Sequence, residues 1–221
     1  MSQSPQKHVA VILAGCGVYD GAEINEVVLT LLHLEKNGAA YTCFAPNIDQ
    51  MHTVNHLDGS EMPEPRNVLV ESARIVRGNV QDLATCDASQ YDALIIPGGF
   101  GVAKNLSDFA VKGTDMQVLD AVQHIANTFK EAGKPSGYMC IAPALAPHVF
   151  GQGVKATIGT DADTAAALNT MGAEHCAAEV GDIVVDETHK LVTTPAYMLA
   201  ESIAQAETGI EKLVQQVLAL A

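Results

Sequence analysis

Residues 134–144 have the sequence KPSGYMCIAPA. The pattern predicts a short strand, a tight turn with Cys140 at its tip, and a helix after the turn. Small residues surround the thiol, namely Gly137, Ala142 and Ala144, as the crowded backbone of a nucleophile elbow requires. Because the amino end of the following helix would face the sulfur, we expect the thiol to have a low pKa and to be reactive. A buried structural cysteine is the alternative interpretation.

Buried strands alternate with helices along the rest of the chain. The unbroken apolar run at 9–13 predicts a strand that is buried on both faces, 41–45 is a second predicted strand, and 93–96 is the next buried strand. Between the first two, helical spacing predicts a helix that ends at Gly38. Its expected core stripe comprises Ile24, Val27, Val28, Leu31 and Leu32.

This alternation predicts an α/β fold, with a mostly parallel sheet covered by helices on both faces. Among doubly wound forms we expect the flavodoxin-like order, with a small hairpin around 187–189. The loops at the carboxyl ends of the strands, 15–23, 97–104 and 140–144, should converge on one crevice. We expect one domain over 1–221, in which the irregular segment 47–90 is an insertion over one edge of the sheet.

The charge balance excludes two classes of partner. The chain has 26 acidic and 12 basic residues, which give a net charge of −14. Such a surface repels nucleic acid and anionic membranes, so we expect neither as a partner. No apolar run approaches the roughly 18–20 residues that a membrane span requires.

The cysteines indicate a reducing environment. They are odd in number and scattered, with no Cys-x-x-Cys pair, which argues against a disulfide framework and against a zinc site. Residues 1–7 are polar and contain no apolar signal core. We therefore expect a cytoplasmic protein. The five cysteines are Cys16, Cys43, Cys86, Cys140 and Cys176.

Two glutamates, Glu23 and Glu26, are candidates for a carboxylate beside the thiol. Glu26 lies off the expected core stripe of the first helix but near its amino end, which faces the crevice. A carboxylate there is favoured by the helix dipole. The alternative is a solvated glutamate in the first turn, and Glu23 is an equal candidate for that position.

A glycine pair follows the strand at 93–96. The sequence PGGFG at 97–101 lacks the pattern of a P-loop, and nucleotide binding is only weakly indicated. Two glycines after a buried strand can instead present bare N–H groups to an oxyanion, and the N–H groups of Gly99 and Ile141 are the natural pair. A plain tight turn is the alternative.

Six stretches of the chain resemble the PfpI-like, class I glutamine amidotransferase-like superfamily. More narrowly they resemble the bacterial ElbB proteins, which are named for enhancing lycopene biosynthesis and described as glyoxalases. The resemblance covers nearly all of the chain from His8 onward. The stretches are LAGCGVYDG at 13–21, RNVLVESARI at 66–75, IIPGGFGVAKNL at 95–106, YMCIAP at 138–143, TIGTD at 157–161 and VTTPAYM at 192–198.

The resemblance implies a flavodoxin-like fold and a homodimer. It places Cys140 at the elbow, Glu26 as the acid beside the thiol, and Gly99 and Ile141 at the oxyanion hole. The chain departs from related amidases and deglycases, which carry a histidine about twenty residues after the cysteine. The corresponding strand, 157–161, has none.

Two other histidines are candidates for the missing group. His148 lies in the predicted helix after the elbow, and His175 belongs to a later strand. A lone histidine is usually structural. A Cys-His-acid triad is therefore not evident, which weakens an amidase interpretation.

A Cys140–Glu26 pair could process a small dicarbonyl. The thiolate would add to glyoxal to form a hemithioacetal, Glu26 would move the proton between the two carbons, and hydrolysis would release glycolate. This chemistry requires no metal, no glutathione and no other cofactor.

Two non-enzymatic functions stay open as alternatives. A low-pKa cysteine beside a carboxylate is also how a redox sensor is built, because the thiolate oxidises to sulfinic acid. A regulatory protein linked to isoprenoid biosynthesis is the other, which the family name suggests.

Overall fold

The computed structural model describes residues 6–221, so residues 1–5 of the polar start lie outside the described residues. The strands are β1 His8–Ile12, β2 Ala40–Ala45, β3 Thr53–Val54, β4 Glu61–Met62, β5 Val80–Asp82, β6 Ala93–Ile96, β7 Ser136–Met139, β8 Lys155–Ala156, β9 Glu174–His175, β10 Val184–Asp186 and β11 Leu191–Thr194. The helices are α1 Ile24–Lys36, α2 Val68–Ile75, α3 Phe100–Lys104, α4 Phe109–Lys112, α5 Asp120–Glu131, α6 Ala146–Phe150, α7 Ala162–Met171 and α8 Ile203–Leu220.

The main sheet has the predicted flavodoxin-like architecture. Its seven strands run in the order β10-β11-β7-β6-β1-β2-β5. Five parallel strands, β2-β1-β6-β7-β11, form the doubly wound core in the order 2-1-3-4-5. The direction of winding reverses between β1 and β6, which is where such folds place their ligand crevice.

The edges of the sheet hold the elaborations. The predicted hairpin is present as the antiparallel pair β10–β11. The segment 47–90 contributes a small hairpin, β3–β4, together with α2 and β5. β5 pairs in parallel with β2 and extends the core by one strand.

Buried apolar strands form the centre of the molecule. β1 and β6 are almost wholly inaccessible to solvent, as is expected when helices cover both faces of a parallel sheet. Among the helices, α1 packs against α8 and α2, α6 packs against α5 and α7, and α3 packs against α4. No helix within residues 6–221 has the length and apolar character needed to cross a membrane.

The predicted core stripe of α1 is wrong at three of its five positions, whereas Val27 is buried and Leu31 is partly buried against the core. Ile24, Val28 and Leu32 are 40–48% exposed. The helix is rotated so that Glu26 and His33 are buried among apolar neighbours. The reason is that α1 packs against α8 as well as the sheet, and polar residues on the packed face find partners there: His33 pairs with Glu207 of α8 at 3.0 Å.

Candidate active site

The predicted elbow is present at the end of β7. Cys140 has a φ of +59°, a left-handed conformation that residues other than glycine rarely adopt. Its N–H donates to the carbonyl of Thr194 at 3.0 Å, which ties the turn to the end of the neighbouring strand β11. Backbone strain of this kind concentrates at functional sites.

The helix expected after the elbow is much shorter than a dipole argument requires. A 3-10 turn over Ala142–Leu145 leads into α6, which has five residues. Two backbone N–H groups near the thiol supply the partial positive charge that was expected from the end of that helix. Burial raises the pKa of the Cys140 thiol, and the N–H groups of Gly99 and Ile141 act in the opposite direction.

Glu26 is the carboxylate that reaches the thiol. Its side chain is fully buried, and its Oε2 accepts from the N–H of Gly98 at 2.8 Å. Its Oε1 accepts from the N–H of Tyr197 at 3.2 Å. Glu23 has a different task, because it caps α1 by accepting from the N–H of Glu26 at 2.7 Å. The structure thus separates two residues between which position alone could not decide.

Gly98 leaves the space in which the side chains of Glu26 and Cys140 approach each other. A Cβ at Gly98 would lie 2.8 Å from Glu26 Oε2 and 2.9 Å from Cys140 Sγ. It would also overlap the Cβ of Cys140. Any larger residue would therefore push the thiol or the carboxylate out of place.

Burial controls the protonation of the pair. It raises the pKa of Glu26 to about 8, and the charge of Glu23 acts in the same direction. Burial, followed by the charge of Glu26, raises the pKa of Cys140 well above its ordinary value. The predicted lowering of the thiol pKa is therefore wrong, because desolvation outweighs the effect of the N–H groups.

The loops that carry the site are locked to one another. The N–H of Glu23 donates to the carbonyl of Gly98 at 3.0 Å, and the N–H of Phe100 donates to the carbonyl of Val18 at 2.7 Å. Gly99 has a φ of +96°, and a Cβ there would overlap the backbone of Gly21. The convergence predicted for 15–23, 97–104 and 140–144 is thus present.

A cavity of about 280 Å³ opens onto the thiol. Gly99, Cys140 and Ile141 line it, and so do Thr164 and Tyr197. The rest of the lining is apolar and includes Val18, Phe100, Ala103, Phe109, Ala110 and Met198.

Sequence reasoning missed the contribution of the segment after β11. Tyr197 supplies an N–H to Glu26, and Met198 lines the cavity. The signal available was Thr194-Pro195, which ends a strand next to the elbow strand. It could not be interpreted without knowing that β11 pairs with β7.

The two candidate histidines lie elsewhere. His148 is exposed, and its carbonyl accepts from Gln123. His175 Nε2 accepts from the N–H of Ile158 at 3.3 Å, and burial lowers the pKa of its ring. Within residues 6–221, neither histidine lines the cavity.

Among the described residues, one cluster has the donor types to hold a metal ion. It consists of His33, Glu207 and Glu211 at the contact of α1 with α8. His33 Nε2 lies 3.0 Å from Glu207 and His33 Nδ1 lies 3.8 Å from Glu211, and none of the three side chains lines the cavity. All five cysteines are free thiols.

The chain is similar over nearly its whole length to curated proteins, although no protein-family model matches it. It is 46% identical to human glutamine amidotransferase-like class 1 domain-containing protein 3, mitochondrial, over 98% of this chain and 84% of that protein. It is 45% identical to the rat ES1 protein homolog, mitochondrial, over 98% and 85%. The zebrafish ES1 protein, mitochondrial, is 36% identical over 86% and 77%.

Solved structures share the fold. An isoprenoid biosynthesis protein with an amidotransferase-like domain from Ehrlichia chaffeensis superposes with a TM-score of 0.90 at 36% identity, over 97% of this chain and 99% of that one. Glyoxalase III from Candida albicans superposes with a TM-score of 0.62 at 16% identity, over 97% of each chain. The second likeness is one of fold alone.

The predicted cytoplasmic location is wrong on this comparison, because all three curated relatives are named as mitochondrial proteins. The prediction rested on scattered free cysteines and a polar start. Free thiols indicate a reducing environment, but they do not identify the compartment that provides it.

Proposed function

This chain belongs to the class I glutamine amidotransferase-like family of these relatives, and we propose that it is a cofactor-independent glyoxalase that converts glyoxal to glycolate on Cys140. The observation that carries the proposal is that the Cys140 thiol, which lines a cavity, and the buried Glu26 carboxyl both lie within 3 Å of one point beside Gly98. A nucleophile, a proton carrier and two N–H donors meet at one point there.

The reaction begins with addition of the thiol to one aldehyde carbon. The sulfur–carbon bond forms as the carbonyl electron pair moves to oxygen, which takes up the proton that the thiol loses. The N–H groups of Gly99 and Ile141 stabilise the oxyanion before it is protonated. The product is a neutral hemithioacetal on Cys140.

Glu26 then moves one proton. It removes the hydrogen from the hemithioacetal carbon as a proton and returns a proton to the adjacent carbon, while the hydroxyl proton on the first carbon passes to the carbonyl oxygen of the second. The first carbon is thereby oxidised and the second is reduced. No external oxidant is needed, and the product is a thioester. Water cleaves this thioester, which releases glycolate and restores the thiol. A carboxyl with a pKa of about 8 suits this task, because both of its protonation states are accessible near neutral pH.

The redox-sensor alternative receives less support. A peroxide sensor needs a thiolate in the resting site, whereas burial and Glu26 raise the pKa of Cys140. Addition to an aldehyde can start from the thiol, because the carbonyl oxygen takes up the proton that the thiol loses. The name of the Ehrlichia chaffeensis protein refers to isoprenoid biosynthesis. A regulatory role of that kind has no separate site among the residues described above.

The direct test follows carbon-13 glyoxal by NMR, in the absence of glutathione and with metals chelated. We expect labelled glycolate to accumulate, and rapid acid quenching followed by mass spectrometry to find a two-carbon adduct on the peptide that contains Cys140. A protein that consumes no glyoxal would contradict the proposal.

We also propose a homodimer that forms through α1. Ile24, Val28 and Leu32 lie four residues apart and form an exposed apolar stripe on this helix. Such a stripe is complementary to itself across a two-fold axis. Val28→Glu should halve the mass measured by light scattering, whereas Val111→Glu, at an exposed valine on α4, should leave it unchanged.

A further inference from the structure

We propose that His33, Glu207 and Glu211 form a binding site for a zinc ion that joins α1 to α8. One imidazole nitrogen and one carboxylate oxygen from each glutamate lie within 4.8 Å of one another. His33 belongs to α1 and both glutamates belong to α8, and the two helices pack against each other. The site contains no cysteine, and none of its three residues lines the cavity at Cys140.

The imidazole of His33 carries the inference, because one of its nitrogens is buried without a partner. Only 1% of this side chain is exposed. Its Nδ1 makes no hydrogen bond within residues 6–221. Buried polar atoms in native proteins nearly always have a partner, so this nitrogen points to a ligand.

The two carboxylates indicate that the ligand is a cation. His33 Nε2 lies 3.0 Å from Glu207 Oε1, and Nδ1 lies 3.8 Å from Glu211 Oε1. A neutral imidazole has one N–H and can donate to only one of these carboxylates. Its other nitrogen then brings a lone pair close to a second negative charge. A cation shared by these groups removes the conflict, because all three then act as electron-pair donors to it.

No basic side chain supplies the missing positive charge. In the part of the chain from residue 6 onward, neither Glu207 nor Glu211 has a lysine or arginine at ion-pair distance. Lys212 is next to Glu211 in sequence, but its Nζ donates to the carbonyl of Gly181 and lies 3.6 Å from Asp182. The one further polar contact is that of Gln215 Nε2, which donates to Glu211 at 3.3 Å.

The donor set favours zinc over the harder cations. Imidazole nitrogen with carboxylate oxygen suits Zn²⁺, whereas Mg²⁺ and Ca²⁺ prefer oxygen alone. Ligand atoms at about 2.0–2.2 Å from a tetrahedral zinc are roughly 3.3–3.6 Å apart. The side chains of Glu207 and Glu211 are 34% and 44% exposed, so they are free to move the remaining distance toward the ion. Water would complete the coordination on the exposed side.

A metal ion here would connect two elements that also position Glu26. Glu26 lies seven residues before His33, which is two turns along the same helix. α8 follows the segment in which Tyr197 donates its N–H to Glu26. The ion would thus hold α1 and α8 together at a distance from the thiol, and we assign it a structural function.

The test measures zinc binding by equilibrium dialysis on the full chain, without an affinity tag and after removal of metals by a chelator. The double variant Glu207→Gln, Glu211→Gln should weaken binding by at least about tenfold, since even the loss of an outer partner of a metal ligand costs roughly 10- to 100-fold. Glu201→Gln removes the same charge from an exposed residue just before α8 and should leave the affinity unchanged. If zinc does not bind, or if the double variant binds it as tightly as the control, the inference is overturned.

Cobalt identifies the ligands without any variant. Co²⁺ bound to nitrogen and oxygen donors gives visible d–d absorption, whereas cobalt bound to cysteine adds an intense thiolate band in the near ultraviolet. We expect the first spectrum alone. A thiolate band would assign the metal to the free cysteines and overturn the site.

Thermal unfolding tests whether the ion joins the helices. Zinc at about a hundred times its Kd should raise Tm of the wild type by roughly 5 °C, because it binds the folded state. The double variant should show no such rise at the same concentration. If the wild type gains nothing, or if both proteins gain equally, an imidazolium between the two carboxylates replaces the metal as the explanation of the cluster.

Discussion

Cys43 and Cys140 are both buried, with 1% and 7% of their surfaces exposed, yet only one of them has the surroundings of a reactive group. Cys43 lies within β2, where burial alone raises the pKa of its thiol to about 12. Cys140 lies beyond the end of β7, in contact with Glu26 and two N–H groups. Burial makes both thiols hard to ionise, so the neighbouring groups and the open cavity make the difference.

The position along a strand explains this difference. Within a strand, backbone N–H groups are used by the ladder of the sheet, and Cys43 pairs in register with Val11 and Val80. At the carboxyl end of a strand the ladder stops, and N–H groups of adjacent loops become available to other acceptors. A thiol just beyond the end of a strand, such as that of Cys140, thus has a different electrostatic environment from a thiol within a strand, such as that of Cys43.

The largest expected effect is the loss of the nucleophile. Cys140→Ala should lower glyoxal turnover by about 10⁴-fold or more, because no other group can form the covalent intermediate. Cys43→Ala is the matched control, since it removes a buried thiol from the same sheet, and it should retain turnover. Glycolate formation measures both variants. Equal losses would mean that the two cysteines do not differ in function.

Loss of the proton carrier should have the next largest effect. Glu26→Gln keeps the size of the side chain but cannot move a proton, and kcat should fall by roughly 10²- to 10⁴-fold. Glu23→Gln changes the neighbouring carboxylate that caps α1 and should retain most of the activity. Steady-state kinetics with glyoxal as the substrate measure kcat for both variants. Unimpaired kcat in Glu26→Gln would exclude Glu26 from proton transfer.

A smaller loss is expected when the space between the two side chains is filled. Gly98→Ala would place its Cβ within 3 Å of Glu26 Oε2 and Cys140 Sγ, and misplacement by about 1 Å costs on the order of 10²-fold in rate. Gly181→Ala serves as the control, because its Cβ would meet only the side chain of Thr208. Iodoacetamide labelling of Cys140 should slow in parallel with turnover in the first variant alone.

The smallest effect concerns the pH dependence of stability. Folding raises the pKa of Glu26 from 4.5 to about 8, so the folded state binds more protons in that interval and loses stability as the pH rises through it. Between pH 5 and pH 8 the wild type should lose at least about 1 kcal/mol more of its free energy of unfolding than Glu26→Gln. Urea unfolding at the two pH values provides the measurement. If the free energy of unfolding changes with pH to the same extent in both proteins, folding does not raise the pKa of Glu26.

Local sequence patterns correctly predicted several strands and turns and the position of the elbow. The apolar runs that became β1 and β6, the glycine-rich turn after β6 and the small residues around Cys140 could all be interpreted correctly. Each feature depends on the backbone preferences and burial of a few neighbouring residues. The same holds for the helix end at Asn37 and Gly38.

The rotation of α1 could not be predicted in this way. Apolar residues lie on two sides of this helix, and the sequence does not show which side meets the sheet and α8. The wrong choice would have turned Glu26 toward solvent, although its position along the helix was interpreted correctly. The lining residues Phe109 and Thr164 likewise carry no local signal that connects them with Cys140.

The sequence by itself determined that a cysteine stands at a sharp turn after a buried strand, because strand periodicity and small neighbouring residues are local properties. Only the tertiary structure decided the protonation of that cysteine and its partners. The N–H that Tyr197 donates to Glu26 comes from 171 positions along the chain. Burial of both groups is likewise the product of the whole packed sheet, since desolvation depends on every atom that excludes water.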